Sequence, residues 1–262
     1  MATVADILRY IETIAPPYMA EQWDKIGLNC GRMNKEVKKI LVALDPFPHV
    51  CQEAVQCNAD LLVTHHPLMW ETGFVTDATT QGQCMLELLE HGIAHISAHT
   101  NLDCAPGGVN DVLAQTLELQ NIRVIHPNGV DDSGREWGLL RMGETETQPL
   151  ESFLSSVKER LHCDGLRYVD SGKPVRNVAV GGGACAGGLV EAFDAGCDTF
   201  VTADIKYNQF WDAHDLGLNL IDAGHFATEN PVVAVRAEKI AAAFPGVEVK
   251  ISETHRDCMK FY

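Results

Sequence analysis

An α/β fold is predicted for this chain by three observations. Short apolar runs rich in β-branched residues alternate with amphipathic stretches, clusters of turn formers separate many of them, and three of the apolar runs lead directly into histidines or carboxylates. Residues 3–14 carry apolar positions at helical spacing and stop at Pro16-Pro17. Ile40 to Leu44 reads as a strand, 50–58 as a helix, and 60–64 as the strand that delivers the pair His65-His66. Residues 83–91 place Leu86 and Leu89 on a helix that Gly92 can cap. A strand from His95 to Asn101 follows, then Pro106-Gly107-Gly108 and a helix through Leu117. If that strand stays regular, His95, Ser97, His99, Asn101 and Asp103 share one face.

Turn formers then crowd residues 126–136, where His126-Pro127-Asn128-Gly129 and Asp131-Asp132-Ser133-Gly134 mark a domain boundary. Beyond it the pattern predicts a strand from Gly138 to Met142 and a helix with Leu150, Phe153, Leu154, Val157 and Leu161 on one stripe. Strands near 166–169 and 175–180 come next, and later an apolar run from Leu218 to Ile221. The expected organisation is a discontinuous metal-binding α/β domain, residues 1–127 and 222–262, with residues 128–221 inserted as a second α/β domain.

Adjacent imidazoles at a strand end make poor core residues, because each buried ring nitrogen needs a partner. They make good metal ligands. His225 and Glu229 are four apart, the interval that puts two side chains on one helix face. Strand ends that deliver imidazole and carboxylate suit an open sheet whose ligands gather beyond the carboxyl ends of its strands. Asp103 has a rival role capping a turn, and Glu229 one as a first-turn acid complementing the helix dipole. His95, earlier in its strand than His99, reads as a satisfied core histidine. The remaining histidines, His49, His91, His126, His162, His214 and His255, read as surface or locally bonded residues.

Four segments carry a specific resemblance: Trp23-Asp24-Lys25-Ile26-Gly27-Leu28, Thr64-His65-His66-Pro67, Ala98 to Asp103, and Asp222 to Glu229. In that order, and spanning nearly the whole chain, they resemble the signatures of the GTP cyclohydrolase 1 type 2 homologue family, also called NIF-three-like. The resemblance implies two α/β domains with a metal site in the cleft between them. It implies His65, His66, Asp103, His225 and Glu229 as ligands of two divalent metal ions per subunit, and a ring-shaped homohexamer. Imidazole and carboxylate without thiolate suit Zn, Mn, Fe, Co or Ni. His99, near these ligands but outside the set, is the candidate general acid/base or substrate anchor. The implied activity is hydrolysis of a nucleotide or other small anionic substrate by a metal-bound hydroxide. A phosphoesterase on the same centre, or a metal-storage, metallochaperone or partner-binding protein without turnover, is the alternative.

The loop Gly181 to Gly188 lies between a strand and a helix and has two readings, a phosphate-cradling turn or a tight turn that needs glycine backbone freedom. It lacks the Lys-Ser/Thr of a P-loop, which favours the second. The family pattern has Gly where this chain has Ala203 and His where it has Asn208.

Charge and composition narrow the field further. Acidic residues outnumber basic ones 36 to 20, and a net charge of −16 disfavours sequence-independent nucleic-acid binding. No apolar run reaches membrane-spanning length and no secretory signal opens the chain, so a cytoplasmic protein is expected. The nine cysteines form no C-x-x-C pair and read as reduced, mostly buried small hydrophobes, with Cys104 beside Asp103 exposed to metal-linked oxidation.

Overall fold

The computed structural model describes residues 1–71 and 73–262. Contacts divide the chain into two compact units, Met1–Leu102 with Val233–Arg256, and Asp103–Val232 with Asp257–Tyr262. The segment 128–221, expected as an insertion, lies inside the second unit, which also takes in residues 103–127 and 222–232.

The first unit is built on a five-stranded sheet in the order Gly27–Cys30, Ala94–Ser97, Leu61–Thr64, Lys39–Ala43, Glu248–Ile251. Only the pairing of Gly27–Cys30 with Ala94–Ser97 is antiparallel. Leu61, Leu62 and Val63 are wholly buried, as are Ile40 and Val42, so these central strands read as continuous apolar runs rather than alternating ones. The helices Pro48–Gln56 and Thr80–Glu90 cover one side, where Val50, Cys51, Ala54, Cys84 and Leu88 pack on Leu41 and Leu62. The first helix, Val4–Ile14, begins with a capping box in which Thr3 and Asp6 satisfy each other's backbone amides.

The second unit has a six-stranded mixed sheet, ordered Gln120–Val124, Arg141–Gln148, Val175–Val180, Thr199–Thr202, Asn219–Asp222, Arg167–Val169. Its three consecutive strands Val175–Val180, Thr199–Thr202 and Asn219–Asp222 run parallel. One core packs Phe153, Leu154 and Val157 of the Leu150–Arg160 helix on Val178, Val201 and Ile221; another packs Leu189 and Ala213 on Ala179, Phe200 and Leu220.

Two expected strands differ. The strand expected to run from His95 to Asn101 ends at Ser97, and a helix starts at Thr100. Ser97 pairs with Thr64, the last residue of the neighbouring strand, so the ladder has no partner beyond it. The amides of His99 and Thr100 are instead taken by the side chains of Asn101 and Asp24. His99 and Asp103 therefore do not lie on one strand face. The strand expected over Gly138 to Met142 begins at Arg141 and runs to Gln148, through the polar Glu144 to Thr147 that no apolar pattern marks.

No helix among the described residues is long and apolar enough to cross a membrane. Five of the nine free cysteines are buried, Cys104 among them, and only Cys258 is exposed.

Candidate metal centre

In the first unit three neighbouring parallel strands deliver polar side chains just past their carboxyl ends. Lys39–Ala43 leads to Asp45, Leu61–Thr64 to His65 and His66, and Ala94–Ser97 to His99. The amides of His65 and His66 both donate to the Leu44 carbonyl, which turns the chain sharply there. His65, His66 and His99 are buried, and each offers a ligand atom within 4.8 Å of the others.

Their second ring nitrogens fix what they can do. His65 Nδ1 lies 2.9 Å from the Ala98 carbonyl oxygen, His66 Nδ1 2.6 Å from an Asp45 carboxylate oxygen and His99 Nδ1 3.0 Å from Asp24. A carbonyl or carboxylate oxygen only accepts, so in each ring Nδ1 carries a proton, and in the neutral ring the lone pair falls to Nε2. That is the tautomer a metal requires, held by the carboxylate or carbonyl partner that metal-bound histidines usually have.

The supporting acids are themselves pinned. Asp45 also binds His255 Nε2 at 2.8 Å. Burial raises its pKa, but the hydrogen bonds from His255 and His66 outweigh burial and hold it well below the usual carboxylate range. Asp24 accepts from His99 and from both the amide and hydroxyl of Thr100, and these bonds likewise overcome burial to keep it ionised. His95 lies deeper. It is fully buried with Nε2 2.7 Å from the Thr64 hydroxyl, the core histidine its position suggests.

The second unit carries a matching set of donors. Its Asn219–Asp222 strand ends in a loop where Gly224 adopts φ +86°, and the helix His225–Glu229 follows at once. His225 Nε2 lies 3.1 Å from a Glu229 carboxylate oxygen, and its Nδ1 2.7 Å from Asp204. Asp204 is delivered by the adjacent parallel strand, Thr199–Thr202. Burial works to lower the His225 pKa, and the two flanking carboxylates override it, raising it to about 10. Glu229 and Asp103, both buried, bring carboxylate oxygens within 4.8 Å of each other. Asp103 lies on the short helix Thr100–Cys104, with its backbone carbonyl tied to Asn110.

The glycine loop after Val175–Val180 serves this cluster. Asn110 accepts from the Gly182 amide at 2.7 Å and the Thr228 hydroxyl from the Gly183 amide at 3.0 Å, so those two amides are committed to the protein. Gly183 has φ +64°, and a Cβ there would come within 2.1 Å of Glu229 Oε1 and 3.1 Å of His225 Nε2. The loop is a seat for the His225–Glu229 helix, and only glycine fits it.

Asp24, Asp45, Asp204 and His255 escape sequence reasoning. Asp24 sits in the Trp23 to Leu28 segment without an evident role, and His255 reads as a lone histidine although its side chain is only 5% exposed. Asp45 and Asp204 carry one signal, their place just past a strand, and Asp24, which precedes the strand Gly27–Cys30, carries none. Within each unit the donor chemistry fits divalent metal: three imidazoles with Nδ1 committed in the first, and His225 with two buried carboxylates in the second.

The chain matches known proteins over nearly its whole length. A family model, Duf34/NIF3 (NGG1p interacting factor 3), matches residues 2–258. A GTP cyclohydrolase 1 type 2 homolog of Clostridium perfringens is 33% identical over 260 residues, covering 98% of each chain. A protein of the same description from Streptomyces coelicolor is 37% identical over 238 residues, 88% of this chain and 83% of its own. Among solved structures, a Bacillus cereus protein related to NIF3 superposes with a TM-score of 0.94 at 25% identity, covering 100% of this chain and 99% of its own. A match of this extent, with donors where the signatures lie, means that the chain belongs to the Duf34/NIF3 family.

Proposed function

We propose that this protein is a cytoplasmic, metal-dependent hydrolase in which His65, His66, Asp103, His225 and Glu229 hold two divalent ions. Its substrate would be a nucleotide or another small anion. The observation that carries this reading is the set of oriented imidazoles: Nδ1 of His65, His66 and His99 is held by a carbonyl or carboxylate oxygen, and His225 sits between Asp204 and Glu229. Bound divalent ions would supply Lewis acidity and lower the pKa of water toward neutrality.

The chain's own residues do the rest. Asp45 and the Ala98 carbonyl orient His66 and His65. His99, oriented by Asp24, keeps an Nε2 lone pair that can take a proton from water or substrate and return it to a leaving group. Because only the neutral imidazole ligates, His225 must lose the proton that Glu229 and Asp204 stabilise when metal enters.

The test is metal analysis of the purified protein, then a screen against nucleotides, phosphoesters and cyclic amides before and after chelation. Hydrolysis abolished by chelator and restored by one metal is the expected result. Reversible metal loss with transfer to an acceptor, and no turnover on any class, would make the protein a metal carrier instead.

A further inference from the structure

Trp23 and Trp70 stand beside the histidine cluster of the first unit, and no step of the proposed hydrolysis uses them. Their ring centroids lie 6.0 and 5.3 Å from that of His99, and Trp70 is 6.1 Å from His66. Both indoles are nevertheless widely exposed, Trp23 at 57% and Trp70 at 43%. Large aromatic side chains normally bury most of their area, so two of them left open side by side at a donor cluster mark a binding surface.

Neither is carried by loose chain. The residue after Trp23 is Asp24, whose side chain is fully buried and accepts three hydrogen bonds from His99 and Thr100. The Glu21 amide also donates to Thr100. Trp70 comes two residues after Leu68, which is 2% exposed and whose amide donates to Asn29 at 2.8 Å. The two indoles are 6.5 Å apart at 36°, neither parallel enough to stack on each other nor steep enough for an edge-to-face pair. Each meets His99 at a steep angle, 67° and 77°, a contact that covers at most one face of an indole.

We propose that Trp23 and Trp70 form a stacking platform for a planar, uncharged heteroaromatic ring of the nucleobase type, held next to His66 and His99. The assignment rests on the metal-dependent hydrolase reading, of which it names the substrate class. Indole faces also attract cations. A cationic ligand, however, would be repelled by divalent ions held at the neighbouring histidines, whereas a neutral ring is not. Stacking tolerates any flat ring, so the platform supplies affinity and position while the ring's substituents reach the chemistry.

Calorimetric titration of the metal-loaded protein with GMP and with ribose 5-phosphate, which lacks the ring, separates the possibilities. GMP should bind at least about 10-fold more tightly than ribose 5-phosphate. Trp23→Ala and Trp70→Ala should each weaken GMP roughly 10- to 100-fold, the usual loss for one stacking partner. Ribose 5-phosphate binding should not change, and Trp70→Phe should recover most of the GMP affinity. Equal affinity for the two probes, including no binding of either, overturns the proposal, as do alanine variants that keep GMP affinity. Alanine variants that shift the protein to a smaller species in sedimentation would make the surface a contact between copies, which also overturns it. Metal content measured on the same samples keeps the two readings apart: a wild-type protein that retains no metal defeats the hydrolase, while the GMP comparison still scores the platform.

Discussion

His99 shows how one residue's role is set by its second nitrogen. Asp24 binds Nδ1, and His99 offers a ring nitrogen within 4.8 Å of ligand atoms on His65 and His66. If His99 moves protons, His99→Asn should keep metal at the wild-type amount and cut turnover roughly 10²–10⁴-fold, which metal analysis paired with kinetics would read. Loss of one metal equivalent would instead make it a ligand. His95, buried in the strand that precedes it, is a structural counterpart. Burial, helped by the charge of Arg236, drives its pKa down to about 3. In the unfolded chain it titrates near 6.5, so it contributes stability in full above that pH and loses it as pH falls toward 3. Urea unfolding between pH 4 and 6.5 should therefore show a slope about 1.4 kcal/mol per pH unit steeper in the wild type than in His95→Gln. Equal slopes would mean that His95 is protonated in the folded protein.

At the scale of elements, the parallel strands and their carboxyl-terminal donors were legible because an apolar run followed at once by His65-His66, or by Asp222 to Glu229, is an unusual pattern with a physical reason. The supporting acids were not. Asp45 and Asp204 look like any acid after a strand until folding sets a histidine's Nδ1 against them. The Ala94–Ser97 strand is shorter than its sequence pattern, because the alternation continues past the point where Thr64 ends the neighbouring ladder. The glycine loop was legible as a tight turn, but its purpose was not, since that depends on Glu229 lying against Gly183. The close approach makes a prediction: Gly183→Ala incurs the left-handed backbone penalty of about 1–2 kcal/mol and must also displace the Glu229 carboxylate. Bound metal should drop well below the wild-type amount. Gly187→Ala, which has open space around its Cβ position, should leave it unchanged in the same metal assay. A Gly183→Ala protein with full metal would show that Glu229 is not a ligand.

For the molecule as a whole, the separation of cores from donors decides how metal and folding are linked. Each unit encloses its own apolar clusters, with Leu62, Val50 and Leu88 in one and Val178, Phe153 and Ile221 in the other. The imidazoles and carboxylates lie past the strand ends. A centre so placed adds little to the core, unlike a structural zinc module whose fold disappears with its metal. Replacing His66 by Ala removes one ring and leaves Asp45 its bond to His255, so the local framework persists. His66→Ala and wild type should then melt within a few degrees of each other in chelator. Each metal site, with metal at 100 times its Kd, should stabilise the wild type by about 2.7 kcal/mol, if metal binds the folded chain and not the unfolded one. That corresponds to a rise of roughly 5–10 °C for a chain of this size, and the variant should show little of it. Circular dichroism melts of both proteins, with chelator and with metal, read all four states. A variant that fails to fold even in chelator would make the centre structural, and the hydrolase reading would lose its physical basis.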